Sequence, residues 1–255
     1  MNRTRKFHEL AEEYPLELRE GQHHDVARMV FHVELALAGR EAGVSAICDV
    51  GGGIGLFTPA CAAAGFSRVV LVDDFQDEVN TRTGGSVLDL HRRLGVEIVS
   101  RDVVAEGLEA AFAPAGFDVI TCFDSMEHWH HSPKVLLSEV VQLLKPGGLF
   151  ILGVPNCVNL RKRLTMPLGR CKWSSMAEWY EKPVFRGHVR EPDVDDLRYI
   201  ARDMGLEQVA VYGRNWLGYY SNRAVVRGIT RWSDRVLQMF PSLCANIYLT
   251  GHKRF

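Results

Sequence analysis

Four of the five positions from 51 to 55 are glycine (Gly51, Gly52, Gly53 and Gly55), and an acid, Asp49, lies two residues ahead of them. Glycine loses more backbone entropy on folding than any other residue, so such a cluster implies that something approaches the bare chain. A dinucleotide pyrophosphate calls for Gly-x-Gly-x-x-Gly/Ala, and a nucleoside triphosphate for Gly-Lys-Ser/Thr. Here the last dinucleotide position is Leu56, and no Gly-Lys-Ser/Thr follows. A carboxylate at position 49 repels anions and attracts cations. The turn therefore suits a ligand with little phosphate and some positive charge.

A second group with chemical potential is Glu127-His128, followed by His130-His131. Histidine titrates near neutrality, so His128 is the candidate general base, while His130 and His131 read as solvent-facing. Asp124, Glu127 and His128 span one helical turn and carry oxygen and nitrogen donors. A lone cluster of this kind is more often not a metal site, and no metal is expected. A third group is the segment 156–190. It carries Arg161, Lys162, Arg163, Arg170, Lys172, Lys182, Arg186 and Arg190 against only Glu178 and Glu181. It reads either as a solvated face or as a cover that recognises an anionic group: a carboxylate, a phosphate or a carrier bearing one. Trp173, Trp179 and Tyr180 then wall an acceptor ring or anchor the segment.

These groups need elements to hold them. Apolar runs predict strands at 45–50, 68–73, 96–101, 117–123, 148–154, 206–212 and 245–251. Helical spacing predicts helices at 22–42, 55–64, 76–94 (interrupted at Gly84-Gly85), 104–113, 133–144, 192–204 and 224–239. Strands alternating with helices imply right-handed crossovers and a mainly parallel sheet. The expected organisation is an N-terminal helical cap (1–43), a core (44–155), a substrate-cover excursion (156–190) and a C-terminal part of the same domain (191–255).

Asp49–Gly55 reads D-x-G-x-G-x-G, which resembles the first motif of the class I S-adenosylmethionine-dependent methyltransferases. That cofactor carries a sulfonium and an ammonium and no phosphate, in keeping with the reading of the turn. Val69–Asp74 is similar to the family's second strand, ending in an acid that accepts from a ribose diol. Asp73 fills that role, with Asp74 as the near alternative. Ser100–Val103 resembles the third motif, in which Asp102 accepts from the adenine amino group; Asp102 also reads as a simple helix cap. FDVITCFDSMEHW (117–129) and LLKPGGLFILGVPN (143–156) are similar to the motifs that follow. GHVREPDVDDLRYIARDMGLE (187–207) resembles the stretch after strand five in ubiquinone-biosynthesis O-methyltransferase-like enzymes and places His188 and Arg190 toward the site. The resemblance implies an α/β, Rossmann-like, doubly wound seven-stranded sheet with helices on both faces. It implies S-adenosyl-L-methionine as cofactor, bound by Asp49, Gly51, Gly53, Gly55, Asp73, Asp74, Asp102, Val103 and Phe123. The implied activity is methylation of a small molecule, at oxygen, with His128 as base. The rival readings are a silent cofactor-binding scaffold and a nicotinamide-dependent oxidoreductase, the latter disfavoured by Leu56.

The totals narrow the class. With 255 residues, 47% apolar, the chain suits one embellished α/β domain. A net charge of −1 supplies no general attraction to nucleic acid, and no nucleic-acid partner is expected. Six cysteines without a Cys-x-x-Cys pair read as reduced thiols of a cytoplasmic protein. No signal peptide and no membrane span are expected.

Overall fold

A computed structural model describes residues 2–76, 78–170, 174–216 and 224–255. Lys172 and Trp173 of the expected cover lie outside the described residues, as does Cys171. Seven strands form one sheet: β1 (Ala46–Val50), β2 (Arg68–Asp73), β3 (Val96–Ser100), β4 (Phe117–Phe123), β5 (Leu144–Pro155), β6 (Glu207–Arg214) and β7 (Asn246–His252). Their order is β3-β2-β1-β4-β5-β7-β6. The first five run parallel, and β7 is antiparallel to both its neighbours.

The side-chain period of a strand divides the core into two layers. Ile47, Val69, Leu71, Val119 and Ile151 face the helices α1 (Arg3–Glu12), α2 (Leu16–Leu37), α3 (Phe57–Ala64) and α4 (Glu78–Arg93). Cys48, Val70, Val72, Ile120 and Phe150 face the other way, toward α5 (Val103–Glu106), α6 (Lys134–Leu143) and α9 (Val194–Asp203). The excursion after β5 contains α7 (Leu160–Thr165) and α8 (Met176–Tyr180), and α10 (Ala224–Leu237) links β6 to β7. No helix among the described residues is long and apolar enough to cross a membrane. The five described cysteines are unpaired.

Several expected elements differ. Gly84-Gly85 does not interrupt α4; a helical glycine costs about 1 kcal/mol relative to alanine, which packing of Val87 and Leu90 offsets. The helix expected at 104–113 stops at Glu106. Gly107 there takes φ +67°, and a Cβ on it would lie 2.6 Å from the Glu139 carboxylate, which accepts from the Leu108 N–H. Residues 145–147, between the helix expected at 133–144 and the strand expected at 148–154, lie inside β5, with a register shift against β4 between Phe117 and Val119. The N-terminal helix expected from residue 22 begins at Leu16, and α1 precedes it, burying Phe7, Leu10 and Ala11 on one face.

The strand order reverses at β1, which pairs with β2 on one side and β4 on the other. In open α/β sheets this switch point leaves a crevice beyond the carboxyl ends of the strands.

Candidate active site

A cavity of about 500 Å³ occupies that crevice. The glycine loop forms its floor. Gly51 and Gly53 take φ +71° and +56°, a region that disfavours residues with a Cβ. A Cβ on Gly51 would lie 1.9 Å from Ser125 Oγ, and one on Gly52 would lie 2.0 Å from Asp49 Oδ2. Glycine at these two positions is thus demanded by the protein's own packing. Gly55 differs: a Cβ there would meet only the Gly52 carbonyl, at 3.8 Å, so its bare backbone leaves room on the cavity side.

Asp73, at the end of β2, accepts from the Gly53 N–H (2.9 Å) through Oδ2 and from the Phe75 N–H (2.7 Å) through Oδ1. It therefore braces the glycine loop as well as facing the cavity. Asp74 accepts from the Gln76 N–H (2.9 Å), and its other oxygen lies 3.8 Å from the Arg186 guanidinium across the cavity. Asp102 caps α5, accepting from the Val104 and Ala105 N–H groups (3.0 Å each), so the capping reading holds for its Oδ1. Val103 and Phe123 supply buried apolar wall.

Asp49 is fully buried on β1, and Thr121 Oγ1 donates to its Oδ1 at 2.6 Å. Burial pushes its carboxyl up to about 7, against the opposing Thr121 hydrogen bond and with help from the Asp73 charge. An acid poised between its two forms at neutral pH favours an arriving cation. This donor set and the open backbone at Gly55 fit a cationic, phosphate-free nucleoside.

His128 lies on the cavity wall in the turn after β4. Its Nδ1 lies 2.8 Å from the Arg186 carbonyl, which can only accept; Nδ1 thus carries the proton and Nε2 the lone pair. Its ring meets that of His188 edge-on at 4.8 Å. Glu127 is buried beside them, and burial pushes its carboxyl up to about 7; its Oε2 has no hydrogen-bond partner among the described residues. Donor atoms of Glu127, His128 and His188 lie within 4.8 Å of one another, a set of one carboxylate and two imidazoles able to hold a divalent cation. Asp124 departs from the grouping drawn from sequence: it pairs instead with Arg28 of α2.

The cavity lining thus takes in every position that the resemblance implies for the cofactor, with the candidate base: Asp49, Gly51, Gly53, Gly55, Asp73, Asp74, Asp102, Val103, Phe123 and His128. It also includes residues the sequence did not mark. From α2 come Asp25, Arg28, Met29 and His32, and from the excursion Val184 and Phe185; Arg186, marked from sequence as part of the basic cover, joins them. The helical spacing of α2 was legible, but nothing in it signals which turn meets a cavity.

A second cavity of about 520 Å³ adjoins the first, and His128 and Arg186 line both. Arg161, Lys182 and Arg186 bring positive charge to it. At its edge Lys162 and Glu191 form a buried ion pair, and His188 Nδ1 lies 2.8 Å from Glu191 Oε1. Burial alone would raise the Glu191 carboxyl, but the hydrogen bonds from His188 and Lys162 prevail and hold it below the usual range. His188 faces this cavity, whereas Arg190 turns to Asp196 at 3.3 Å. Trp179 and Tyr180 are exposed and line neither cavity, so neither walls an acceptor in this structure.

A methyltransferase-domain family matches residues 22–211, about three quarters of the chain. The chain belongs to the methyltransferase-domain family. Among curated relatives, this methyltransferase domain is similar to a ubiquinone biosynthesis O-methyltransferase of Burkholderia pseudomallei, 29% identical over 171 residues, 66% of either chain. A protein of the same name from Methylococcus capsulatus is 32% identical over 130 residues, covering 51% of this chain and 49% of the relative. The match thus spans about two thirds or less of those relatives' length. Of solved structures, a phosphoethanolamine N-methyltransferase 2 of Haemonchus contortus, in complex with S-adenosyl-L-methionine, aligns with TM-score 0.58 at 16% identity. It covers 90% of this chain and 53% of that one. A 1,6-didemethyltoxoflavin-N1-methyltransferase of Burkholderia thailandensis gives 0.56 at 18%, covering 90% and 79%. At these identities the structural likeness establishes the fold of the methyltransferase domain, an α/β doubly wound sheet.

Proposed function

We propose that this methyltransferase domain transfers a methyl group from S-adenosyl-L-methionine to an oxygen of a small acceptor held in the second cavity. The observation that carries this is His128, which walls both cavities and has its lone pair on Nε2. The cofactor supplies a methyl group on a cationic sulfur. Asp49 attracts its positive charge, Asp73 and Asp74 accept from the ribose, and Asp102 accepts from the adenine through the oxygen not used in capping. Gly51, Gly53 and Gly55 keep the backbone open to it, and Val103 and Phe123 wall it. His128 Nε2 takes the acceptor's hydroxyl proton. The remaining work is alignment and exclusion of water, which α2 and the irregular 184–186 stretch of the excursion supply.

The acceptor carries an anionic group, on itself or on a carrier, met by Arg161, Lys182 and Arg186. Oxygen is favoured by the base and by the O-methyltransferase names of the curated relatives. On this reading residues 1–43 cap the cofactor side, 156–190 cover the acceptor, and 44–155 with 191–255 form one catalytic domain.

Titration calorimetry with S-adenosylmethionine and S-adenosylhomocysteine tests the cofactor half of the proposal. Heat of binding is expected, and it is lost in Gly53→Val; no heat with either compound overturns the proposal. Mass spectrometry of small molecules that co-purify with the protein, followed by turnover to S-adenosylhomocysteine with each, tests the acceptor half. Turnover only with cationic amines would overturn that half alone.

A further inference from the structure

The helix between β6 and β7, α10, is inside out for a helix of a globular domain. Such a helix buries an apolar stripe and exposes its polar face. In α10 the buried residue is an acid, Asp234. It accepts from the Asn215 backbone N–H (3.0 Å), the Asn215 side-chain amide (2.9 Å) and the Gln238 amide (3.0 Å). Gln238 in turn accepts from Arg214 at the end of β6. Polar bonds therefore hold the helix to the sheet.

Its apolar residues point the other way. Val225, Ile229, Trp232 and Val236 are spaced by four, three and four, which places them on one face. They keep 73%, 62%, 69% and 44% of their surface open. Met239 and Phe240, just past the helix, are exposed as well. Arg235 lies a quarter-turn round the helix from this stripe and Arg231 further round the same side, both exposed, while Arg227 is nearly opposite the stripe, beside Asp234, which is turned inward and is the only acid on the helix.

We propose that α10 docks the protein peripherally on an anionic phospholipid surface. Val225, Ile229, Trp232 and Val236 enter the region between headgroups and acyl chains, and Arg235 and Arg231 reach round one side to headgroup phosphates. An exposed apolar face beside a basic flank is what an in-plane interfacial helix requires, and tryptophan suits that boundary because its ring is apolar with one polar edge. The charge pattern distinguishes this partner from a second copy of the chain. Two copies meeting stripe to stripe would set Arg235 of each at the margin of the interface, with no acid exposed on α10 to face it. An anionic bilayer supplies the opposite charge instead.

Vesicle flotation of the full chain tests this, using phosphatidylcholine alone and phosphatidylcholine mixed with phosphatidylglycerol. The protein is expected to float with the mixed vesicles, to stay behind with phosphatidylcholine alone, and to be released as salt shortens the screening length. The double variant Ile229→Asp, Trp232→Asp should no longer float. Arg231→Gln with Arg235→Gln should float about tenfold less or worse, given the usual contribution of a basic residue at an anionic leaflet. All four side chains are exposed, so each variant should melt at the wild-type temperature, which a thermal scan checks. No flotation of the wild type, flotation indifferent to lipid charge, or equal flotation of the apolar variant overturns the proposal. So does a wild-type dimer in light scattering that the apolar variant converts to monomer.

Discussion

The imidazole of His32 lies flat on the ring of Phe123, with centroids 3.9 Å apart and planes 8° from parallel. His32 is in the C-terminal half of α2, and Phe123 ends β4, so this pair fastens the N-terminal helices over the cavity. Phe57 and Tyr248 meet the same imidazole edge-on. Burial holds His32 well below its usual range, with the Arg28 charge adding to the effect. Neither ring nitrogen has a hydrogen-bond partner among the described residues.

Two unpartnered buried nitrogens are a cost, so His32→Phe should stabilise the protein while keeping the stack. The gain is about 1–3 kcal/mol. It should grow with acidity. A histidine held below its usual value binds its proton more readily in the unfolded chain, so wild-type stability is lost as pH falls below about 6.5, and the phenylalanine variant lacks that loss. Urea unfolding of both proteins at several pH values measures the difference. A variant less stable than the wild type would show that His32 has a bonding role in the fold.

Asp49 has the opposite sign. Its folded value near 7 lies above the ordinary carboxylate range, so its charging opposes folding. Relative to Asp49→Asn, wild-type stability should be greatest at acid pH and fall as pH rises from about 4 through 7. Cofactor affinity should run the other way. A cationic ligand prefers the charged carboxylate, so wild-type affinity rises as pH passes through 7 and then levels, while the asparagine variant binds more weakly and without that rise. Calorimetry at pH 6 and 8 distinguishes the two profiles.

His128→Ala should leave cofactor binding unchanged and lower turnover by a factor on the order of 10² to 10⁴, the usual contribution of a general base. The variant's rate should also lose the acid-side limb of its pH profile. Turnover matching the wild type at every pH would remove His128 from the chemistry.

Lys162→Met removes one partner of the buried pair with Glu191 and leaves a carboxylate uncompensated beside His188. A loss of about 3–5 kcal/mol is expected. Because Glu191 also holds His188, the acceptor's KM should rise in the same variant while cofactor affinity stays put. Thermal melts and steady-state kinetics read the two effects separately.

How much of this was legible in the sequence follows from how local each signal is. The strand–glycine–helix run, the acids at successive strand ends and the seven strands could be read because each depends on residues within a few positions. Element ends were harder where a distant group decides them. The Glu139 carboxylate shapes the turn at Gly107 from 32 residues away, beyond any local pattern.

The sequence by itself determined the sheet, the glycine floor and the acids around it, since these follow from periodicity and backbone sterics. Tertiary structure alone decided what closes over them. It put His32 against Phe123, brought His188 to His128 and Glu127, and turned Trp179 outward. It also decided which side of α10 faces water. Periodicity defines an apolar stripe on that helix, but only the hydrogen bonds of Asp234 to Asn215 and Gln238 settle which way the stripe points. The reason is physical: a helix's own pattern sets which residues share a face, whereas its rotation depends on groups the chain brings in from elsewhere.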